Sequence, residues 1–504
     1  MRRKIVWPPL FLLLTTGMLA GCAPKSAATM PPAVRTADSI DHLRTDLDRI
    51  FSDPNFTDAQ WGIEVLSLDR GDVLYGLNAY RLYMPASNNK LVTTAPALLR
   101  LGPDFRYETR VSANGEILDG VLRGELVIIG GGDPTAAPRF HNGDPFLLFK
   151  EWATRLKEKG IRKIEGAIVG DGSAFPPPGI GMGWEWDDLL YGYATPISAL
   201  QFNENLFTME IVPGDAEGAP AAVRCSPLPD YVTIDSKVTT AAPGSENRVE
   251  IRRGEGEESL VVEGTVAREG SPERETLAVQ LPVRYFLTAL RKTLQDEGID
   301  VAQAAVRSSD DPGFHVSVGS QLLWVQPSPP LSEIIKPLLK VSQNLYAETL
   351  ARTLGLAVRK EGSFEAGRAV VEEVLERMAV PKGTYAYVDG SGLSRSNLVT
   401  ADMLIRILKY MYRQKSFAQF YDALPIAGVD GTIGGRMKGT QAENNVHGKT
   451  GSIRYVRCLS GYVRTSEGEM LAFAMLANNF LVSSRAAEYV QDSALQRLAA
   501  FHRK

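Results

Sequence analysis

A serine and a lysine stand three residues apart at the start of an apolar run, in the stretch YMPASNNKLVTTAPALL. Residues three apart on a helix share one face, so the hydroxyl of Ser87 and the amine of Lys90 can touch. A serine hydroxyl needs a neighbouring base to become a nucleophile, and a lysine serves if burial or a second cation lowers its pKa. The pair therefore predicts nucleophilic acyl transfer, although an ordinary polar helix start would produce the same tetrapeptide.

Two later stretches carry the partners that such a reaction needs. KVSQNLYAE holds Ser342 and Asn344, whose side chains point the same way if the backbone there is extended. VHGKTGSIRYV holds Lys449 and Thr450, a cation and a hydroxyl that can hold a carboxylate, and Gly451, which lets a substrate backbone approach closely. In this order the motifs S-x-x-K, S-x-N and K-T-G are those of serine acyl-transfer enzymes of the β-lactamase and penicillin-binding kind.

The composition excludes several other classes of function. The 504 residues are 44% hydrophobic and 23% charged, with a formal net charge of −4, which indicates a globular protein without the basic surface that nucleic acids require. The five histidines are scattered without ligand spacing, so a histidine-built metal site is not expected. Neither a metal nor an organic cofactor is implied.

The N-terminus predicts export and a lipid anchor. A basic start (Arg2 to Lys4) precedes an apolar run, which is typical of a secretory signal. The run ends in Leu-Ala-Gly before Cys22, which resembles the lipobox of bacterial lipoproteins and predicts a signal peptide over 1–21 and a lipid on Cys22; a plain secretory signal is the alternative. Residues 22–38 are rich in Ala, Pro, Ser and Thr and predict a tether. No later segment is apolar enough to span a membrane.

The apolar spacing and the turn residues of the remaining chain predict which elements position the motifs. Helical spacing is found over 41–51, and a hairpin follows with its turn at Asp69-Arg70-Gly71. The S-x-x-K segment predicts a helix from Ser87 to Leu99, with a possible kink at Pro96. Short β-like segments, separated by glycine and proline, then continue to about Gln321. A region of this length cannot be one loop of a compact domain, so it predicts an insertion between the two parts of the catalytic domain. The C-terminal part predicts two strands joined at Glu467-Gly468 and a helix over 486–500.

The sequence resembles the D-alanyl-D-alanine carboxypeptidase/endopeptidase branch of the penicillin-binding proteins, low-molecular-mass class C. The resemblance covers the chain from about residue 40 to its end. Besides the three motifs, it is carried by the stretches VIIGGGDPT, ISALQFNEN, VDGSGLSRSNLVT, LPIAGVDGTIGGRMKGT and LSGYV. The long gap between Ser87 and Ser342 favours this branch over simple β-lactamases, in which the gap is much shorter.

The resemblance implies an α+β fold with a transpeptidase-like catalytic domain, an antiparallel sheet flanked by helices. That domain is expected over 39–107 and 325–504, with residues 108–324 inserted as two small β-rich domains. Two cysteines, Cys225 and Cys458, fall in the inserted and the catalytic part respectively, and the sequence leaves open whether they pair.

The resemblance also implies roles for individual residues. Ser87 is the expected nucleophile and Lys90 its base, while Ser342 passes a proton to the leaving amine and Asn344 orients Lys90 and the substrate amide. Lys449 is expected to stabilise the electrostatics of the site. Thr450 is expected to bind the terminal carboxylate, and Gly451 to let the substrate backbone approach closely. The backbone N–H groups of Ser87 and Ser452 are expected to form an oxyanion hole. Arg395 is expected to bind a stem carboxylate, and Asp187 or Asp188 the stem amine.

The expected function is that of a serine DD-peptidase on peptidoglycan stem peptides, with β-lactams as covalent inhibitors. A β-lactamase on the same fold, or a non-catalytic peptidoglycan-binding scaffold, are the competing hypotheses. The lipid on Cys22 would hold the protein in the periplasm. Ala23 is not the aspartate that retains some lipoproteins in the inner membrane, which favours the outer membrane.

Overall fold

A computed structural model describes residues 39–503 of the chain, apart from 255–257, 302–305, 312–313 and 315–318. The described residues all fall in one structural unit, Asp38–Lys504. The expected signal peptide (1–21), the tether (22–38) and Cys22 lie outside the described residues. In the part of the chain that is described, no helix has both the length and the apolar character needed to cross a bilayer.

Helices and strands are both abundant, which confirms the predicted α+β class. The helices of the described residues are α1 (Ile40–Phe51), α2 (Asn89–Leu101), α3 (Leu147–Glu158), α4 (Pro282–Asp296), α5 (Leu331–Lys340), α6 (Asn344–Arg359), α7 (Phe364–Arg377), α8 (Ala401–Tyr412), α9 (Phe417–Ala423) and α10 (Ser484–Ala499). The strands are β1 (Gln60–Ser67), β2 (Val73–Leu77), β3 (Glu108–Leu118), β4 (Val121–Ile129), β5 (Lys163–Ile164), β6 (Ile168–Asp171), β7 (Leu206–Val212), β8 (Ala222–Ser226), β9 (Thr233–Ala241), β10 (Arg248–Arg253), β11 (Ser259–Ala267), β12 (Glu273–Ala278), β13 (Asp300–Val301), β14 (Arg307–Ser308), β15 (Gln321–Pro327), β16 (His447–Ile453), β17 (Val456–Arg464) and β18 (Met470–Asn478).

An antiparallel five-stranded sheet, in the order β16-β17-β18-β1-β2, forms the centre of the catalytic part. Alternate residues of β18 enter two different cores. Leu471, Phe473 and Met475 pack with α1 and α10, whereas Ala472 and Ala474 pack with the helices of the other face, among them α2 and α8. Because helices cover both faces, this strand is apolar throughout instead of alternating with polar residues.

The two outer strands of this sheet have different surroundings. The predicted hairpin is confirmed as β1 and β2, and β2 forms one edge. Arg44 of α1 covers that edge, since its Nε donates to the Leu74 carbonyl at 2.9 Å and its Nη2 to the Val73 carbonyl at 3.4 Å. At the opposite edge, β16 carries the K-T-G motif.

The helix that follows the first motif differs from the sequence prediction at its start. Residues Ala86–Asn88 form a 3-10 turn, so Ser87 lies before α2 instead of on it. The helix then continues through Pro96 to Leu101. The predicted C-terminal strands and final helix are confirmed as β17, β18 and α10.

The inserted region leaves and rejoins the catalytic part at one place. Tyr107 and Ser328 bind each other there: the Ser328 N–H donates to the Tyr107 carbonyl, and the Tyr107 N–H donates to Ser328 Oγ, both at 2.9 Å. The strands that follow and precede them, β3 and β15, run side by side. The region contains a seven-stranded and two three-stranded sheets together with α3 and α4, and one apolar cluster extends through all of them.

Parts of the inserted region also enter the catalytic core. Phe175, Ile197 and Ala199 are buried in the same cluster as residues of α2 and α6. The division of residues 108–324 into two small domains stays a prediction. Cys225 lies on β8 and Cys458 on β17, and both are buried free thiols.

Candidate active site

Ser87 lies in the middle of the 3-10 turn that precedes α2, and its half-buried side chain faces a cleft. The preceding residue, Ala86, has a φ of 45°, in the left-handed region that side-chain-bearing residues seldom occupy. Gly392 lies against this residue, so closely that a Cβ on Gly392 would be 1.9 Å from the Ala86 carbonyl oxygen. A glycine on a neighbouring loop therefore makes room for the unusual backbone that presents the serine.

Lys90 lies one helical turn after Ser87 and is completely buried. Its Nζ is 2.8 Å from Ser87 Oγ, 2.6 Å from Asn344 Oδ1 and 2.8 Å from the carbonyl oxygen of Ser391. The last two atoms only accept hydrogen bonds, so they hold the two N–H bonds of an uncharged amine and leave its lone pair directed at the Ser87 hydroxyl. This is the geometry of a base ready to take the serine proton.

The surroundings of Lys90 also favour its uncharged form. Burial lowers the pKa of Lys90 to about 7, against the opposing effect of the carboxylates of Asp389 and Glu348. A general base is most effective when its pKa lies near the working pH. The neutral amine is thus well populated near pH 7.

The second motif does not have the expected extended backbone. Ser342 is left-handed, with a φ of 65°, and Asn344 is the first residue of α6. The prediction that strand-like alternation aligns the two side chains is therefore wrong, because a left-handed residue followed by a helix start directs both into the cleft. Asn344 is held from two sides, since its Oδ1 accepts from Lys90 and its Nδ2 donates to the Tyr193 carbonyl at 2.7 Å.

Lys449 of β16 forms a second hydroxyl–amine pair opposite the first. Its Nζ donates to Ser342 Oγ at 2.9 Å and to the Thr450 carbonyl at 2.7 Å. Burial and the nearby charge of Lys90 lower the pKa of Lys449 well below its usual range. Asn88 ties this strand to the nucleophile turn by donating from Nδ2 to the Lys449 carbonyl at 3.0 Å.

Two threonines meet on the cleft side of β16. Thr450 Oγ1 lies 2.7 Å from the Oγ1 of Thr432, and both residues line the cleft. Thr432 belongs to the 3-10 turn Gly431–Ile433, inside the stretch LPIAGVDGTIGGRMKGT, and no role was expected for it from the sequence. Ser452 lines the same wall.

Gly451 serves a different purpose from the close substrate approach that the sequence suggested. A Cβ on this residue would lie 2.4 Å from the Pro85 carbonyl oxygen and 3.0 Å from Asn88 Nδ2. The space beside the glycine is thus filled by the turn that carries Ser87. The third motif needs a glycine here because the first motif packs against it.

The three substrate-binding candidates outside the motifs all line the cleft. Arg395 donates from Nη1 to the Arg454 carbonyl at 3.2 Å, at the end of β16. Asp188 accepts a hydrogen bond from the Tyr193 hydroxyl at 2.9 Å. Asp187 is exposed, and no side-chain hydrogen bond to it is found among the described residues.

Two buried carboxyl groups that the sequence analysis did not assign to the site support the loop beside Lys90. Glu348 accepts from the N–H groups of Gly390 and Ser391 at 3.0 and 2.7 Å. Burial raises the pKa of this carboxyl, and the neighbouring Asp389 raises it further. Since Ser391 supplies the carbonyl that binds Lys90, Glu348 positions an acceptor of the base. The spacing could have revealed it, because Glu348 follows Asn344 by four residues on one helix face.

Asp389 holds the same loop and links it to the inserted region. It accepts from the N–H groups of Gly392 and Ser394, both at 2.6 Å, and from Trp184 Nε1 at 3.0 Å. Burial raises the pKa of the Asp389 carboxyl, while these donors oppose the rise. The Gly-rich stretch VDGSG around this aspartate indicates only a turn, and no local pattern points to Trp184, which lies 205 positions away along the chain.

The structure brings the three motifs together around one cleft of about 1360 Å³. The predicted residues that line it are Ser87, Asp187, Asp188, Ser342, Asn344, Arg395, Thr450 and Ser452. Lys90 and Lys449 are buried beside it. Among the described residues, no group of histidine, cysteine or carboxylate side chains is arranged to hold a metal ion. A hydroxyl with an amine base, faced by a second hydroxyl paired with a lysine, is suited to acyl transfer through a serine ester.

Comparison with known proteins agrees with this chemistry. A family model described as the D-Ala-D-Ala carboxypeptidase 3 (S13) family matches residues 43–501. The D-alanyl-D-alanine carboxypeptidase of Actinomadura sp. (strain R39) is 33% identical over 490 residues, which cover 93% of this chain and 87% of that protein. The D-alanyl-D-alanine carboxypeptidase DacB of Haemophilus influenzae is 30% identical over 429 residues, covering 83% of this chain and 85% of that protein.

Solved structures give the same result for the fold. The crystal structure of penicillin-binding protein 4 (dacB) from Haemophilus influenzae matches with a TM-score of 0.77 at 27% identity, over 89% of this chain and 97% of that one. The same protein in complex with a β-lactam matches with a TM-score of 0.73 at 26% identity, over the same shares of both chains.

Proposed function

The chain belongs to the D-Ala-D-Ala carboxypeptidase 3 (S13) family, and on that premise we propose how its cleft performs the reaction. The protein is a serine DD-peptidase that acts on peptidoglycan stem peptides. The observation that carries the mechanism is the set of three contacts at Lys90 Nζ, in which two acceptors hold its N–H bonds and the third contact is the Ser87 hydroxyl.

In the first step, Ser87 Oγ attacks the carbonyl carbon of the D-Ala–D-Ala bond while Lys90 takes the serine proton. The oxyanion that forms is held by the backbone N–H groups of Ser87 and Ser452, a donor pair of the kind that stabilises such intermediates by several kcal/mol. The C–N bond then breaks and leaves an ester on Ser87. The 2.8 Å contact between the hydroxyl and the amine supports this division of roles.

The leaving D-alanine needs a proton on its nitrogen, and Ser342 is suited to deliver it. Its hydroxyl lies 2.9 Å from Lys449 Nζ, so a proton that leaves through Ser342 can be replaced from the lysine side. Asn344 meanwhile fixes Lys90 and presents its amide to the substrate. Water then attacks the ester and regenerates the Ser87 hydroxyl.

The cleft walls are proposed to bind the ends of the stem peptide. The hydroxyls of Thr450 and Thr432 hold the terminal carboxylate. The 2.7 Å contact between their Oγ1 atoms supports adding Thr432 to the residues expected from the sequence. Arg395 binds a second carboxylate on the stem, and Asp187 or Asp188 its amino group. β-Lactams acylate Ser87 because they offer a strained copy of the scissile amide; the related penicillin-binding protein 4 was solved with such a compound.

We further propose that the protein is exported and attached through a lipid on Cys22 to the periplasmic face of the outer membrane. The support is the sequence alone, with Leu-Ala-Gly before Cys22 and alanine after it. Metabolic labelling with a palmitate analogue should mark the wild-type protein and not Cys22→Ala. A labelled Cys22→Ala protein, or a wild type found only in the soluble fraction, would contradict the anchor.

The function is tested by labelling with a fluorescent penicillin, followed by an assay for D-alanine released from a pentapeptide. The wild type should be labelled and should release D-alanine, whereas Ser87→Ala should do neither. Rapid turnover of nitrocefin without D-alanine release would instead indicate the β-lactamase hypothesis. Release of no D-alanine by folded, penicillin-labelled protein would exclude the peptidase.

A further inference from the structure

Three consecutive residues of the inserted region have left-handed backbones. Asn203, Glu204 and Asn205 have φ values of 50°, 57° and 55°. The contact of Cβ with the carbonyl oxygen disfavours this conformation for residues other than glycine, although asparagine adopts it more readily than most. Three in a row, with a glutamate in the middle, therefore need support from hydrogen bonds. Asn203 Nδ2 donates to the Leu206 carbonyl at 2.7 Å, and Asn205 Nδ2 donates to the Pro196 carbonyl at 2.8 Å. Both asparagines thus stabilise the turn, and the middle residue is free to project elsewhere.

The middle residue, Glu204, reaches out of the inserted region to the second motif. Its side chain is buried, with 7% of the residue exposed. Oε1 accepts from Arg139 Nε at 2.6 Å and from the Tyr346 hydroxyl at 2.9 Å. Oε2 accepts from Gln343 Nε2 at 2.7 Å. Both carboxylate oxygens therefore have donors, two of which belong to the start of α6.

Gln343 stands at the middle position of the S-x-N motif, between Ser342 and Asn344. Its amide has only one possible orientation here, because Nε2 donates to Glu204 while Oε1 accepts from the Leu345 N–H at 3.2 Å. The second bond caps the first turn of α6. Ser342 on one side has the left-handed φ of 65°, and Asn344 on the other side binds Lys90.

We propose that Glu204 is a positioning residue for the second motif, acting through Gln343 and Tyr346. By holding the Gln343 side chain, it keeps the peptide groups on either side in the orientation that brings Ser342 Oγ to Lys449 and Asn344 Oδ1 to Lys90. Displacement of catalytic groups by about 1 Å can reduce the rate of a reaction by about a hundredfold. The inserted region thus contributes to the chemistry as well as to substrate binding. The inference rests on the roles proposed above for Ser342 and Asn344.

A charge exchange tests this inference directly. In Glu204→Gln, one accepting oxygen is replaced by an N–H₂ group. That group must face either Gln343 Nε2 or the donors of Arg139 and Tyr346, and because two donors cannot bind each other, one contact is lost. In Gln343→Glu, two carboxylates face each other. The double variant Glu204→Gln/Gln343→Glu restores one donor and one acceptor between the two positions, and the glutamate at 343 can still accept from the Leu345 N–H.

The measurement is the second-order rate constant for acylation by a fluorescent penicillin, with thermal unfolding recorded for each full-length variant. Each single variant should lose at least about tenfold in that rate constant, and the double variant should recover more than half of the loss on a logarithmic scale. Glu210→Gln is the matched control, because Glu210 forms an ion pair with Arg274 at 2.6 Å within the same inserted region and away from the cleft. It should acylate at the wild-type rate.

Single variants that acylate at the wild-type rate, or a double variant no faster than the slower single one, would overturn the inference. If Glu204→Gln does not fold, Gln343→Met decides instead: it keeps a side chain of similar length and removes both amide contacts, and an unchanged rate would again overturn the proposal. The outcome is separate from that of the proposed function, which fails if the wild type releases no D-alanine even though penicillin acylates it.

Discussion

At the scale of single residues, the site depends on how one amine is surrounded. The sequence alone predicts that Lys90 can touch Ser87, because the spacing of three is a local property of helices and turns. It cannot predict that the Ser391 carbonyl, 301 positions away, accepts from Lys90. The spacing of four residues from Asn344 indicates that Glu348 shares its helix face, but not that Glu348 accepts from the Ser391 N–H. Those contacts are what bury the amine and direct its lone pair.

The lowered pKa of Lys90 makes a prediction about pH. With a pKa of about 7, the amine gains a proton as the pH falls through that value and then has no lone pair for the serine proton. The rate constant for acylation by penicillin should therefore fall by about tenfold per pH unit below pH 7 and level off above about pH 8. Stopped-flow or quenched labelling between pH 5.5 and 9 measures it. A rate that stays constant from pH 8 down to pH 6 would show that Lys90 is not the base.

The proposed role of Thr432 in binding the terminal carboxylate can be tested with a simple variant. Replacing Thr432 with valine removes the hydroxyl next to Thr450 and keeps the shape. One hydrogen bond contributes about 1 kcal/mol, so KM for a pentapeptide ending in D-Ala–D-Ala should rise about fivefold with little change in kcat. Thr432→Ser is the control and should behave as the wild type. A Thr432→Val protein with an unchanged KM would remove this residue from the carboxylate site.

At the scale of elements, the sequence predicts the order of strands and helices in the catalytic part more accurately than it predicts the backbone conformation of the turns. The apolar β18, the hairpin of β1 and β2, and α10 have the expected periodicity or turn residues. The left-handed Ser342 and the packing of Gly451 against Pro85 do not appear in any local pattern. Both residues contact parts of the chain distant in sequence, since Ser342 meets Lys449 and Gly451 meets Pro85. Local propensity is overridden where tertiary contacts are strongest.

The strand β1 contains a buried carboxyl that affects stability. Glu64 is 5% exposed, and burial, followed by the charge of Asp402, raises its pKa to about 7. Between its unfolded value near 4.5 and 7, the folded protein holds a proton that the unfolded chain has released, so the contribution of this group to stability falls as the pH rises through that range. The cost is complete above pH 7, where the charge is buried.

Glu64→Gln should therefore melt at nearly the same temperature as the wild type at pH 5 and a few degrees higher at pH 8. Differential scanning calorimetry at several pH values measures this difference. Glu333→Gln serves as a control, since Glu333 is exposed and forms an ion pair with Lys336 on the surface of α5. A difference between Glu64→Gln and the wild type that does not grow with pH would show that the buried carboxyl does not titrate as described.

At the scale of the whole molecule, the inserted region is joined to the catalytic part at one point and contacts it at several. The series of short β-like segments and turn residues predicts that an insertion exists, since a region of that length cannot form one loop. It cannot reveal that Trp184, Tyr193 and Glu204 reach back to Asp389, Asn344 and Gln343, because single residues in loops carry no periodic signal. These contacts make the insertion part of the active site.

Removal of the insertion should consequently abolish activity. Glu108 and Pro327 are register partners on β3 and β15, so residues 109–326 can be replaced by a short glycine linker without stretching the chain. The shortened protein should lose penicillin labelling, and its melting temperature should fall because Phe175 and Ile197 no longer cover the core. Circular dichroism reports whether the catalytic sheet persists. Labelling at the wild-type rate would show that the catalytic part is self-sufficient.

The contact of Arg44 with the edge of β2 has a consequence for behaviour in concentrated solution. An exposed strand edge is a template on which a second chain can pair, and this is a common beginning of aggregation. Here the guanidinium group donates to the carbonyl groups of Val73 and Leu74 on the edge strand, so the side chain lies where a second strand would approach. Arg44→Ala should therefore leave the catalytic cleft unchanged and yet shorten the time before the protein precipitates on storage. We therefore expect α1, through Arg44, to reduce self-association at the edge of β2.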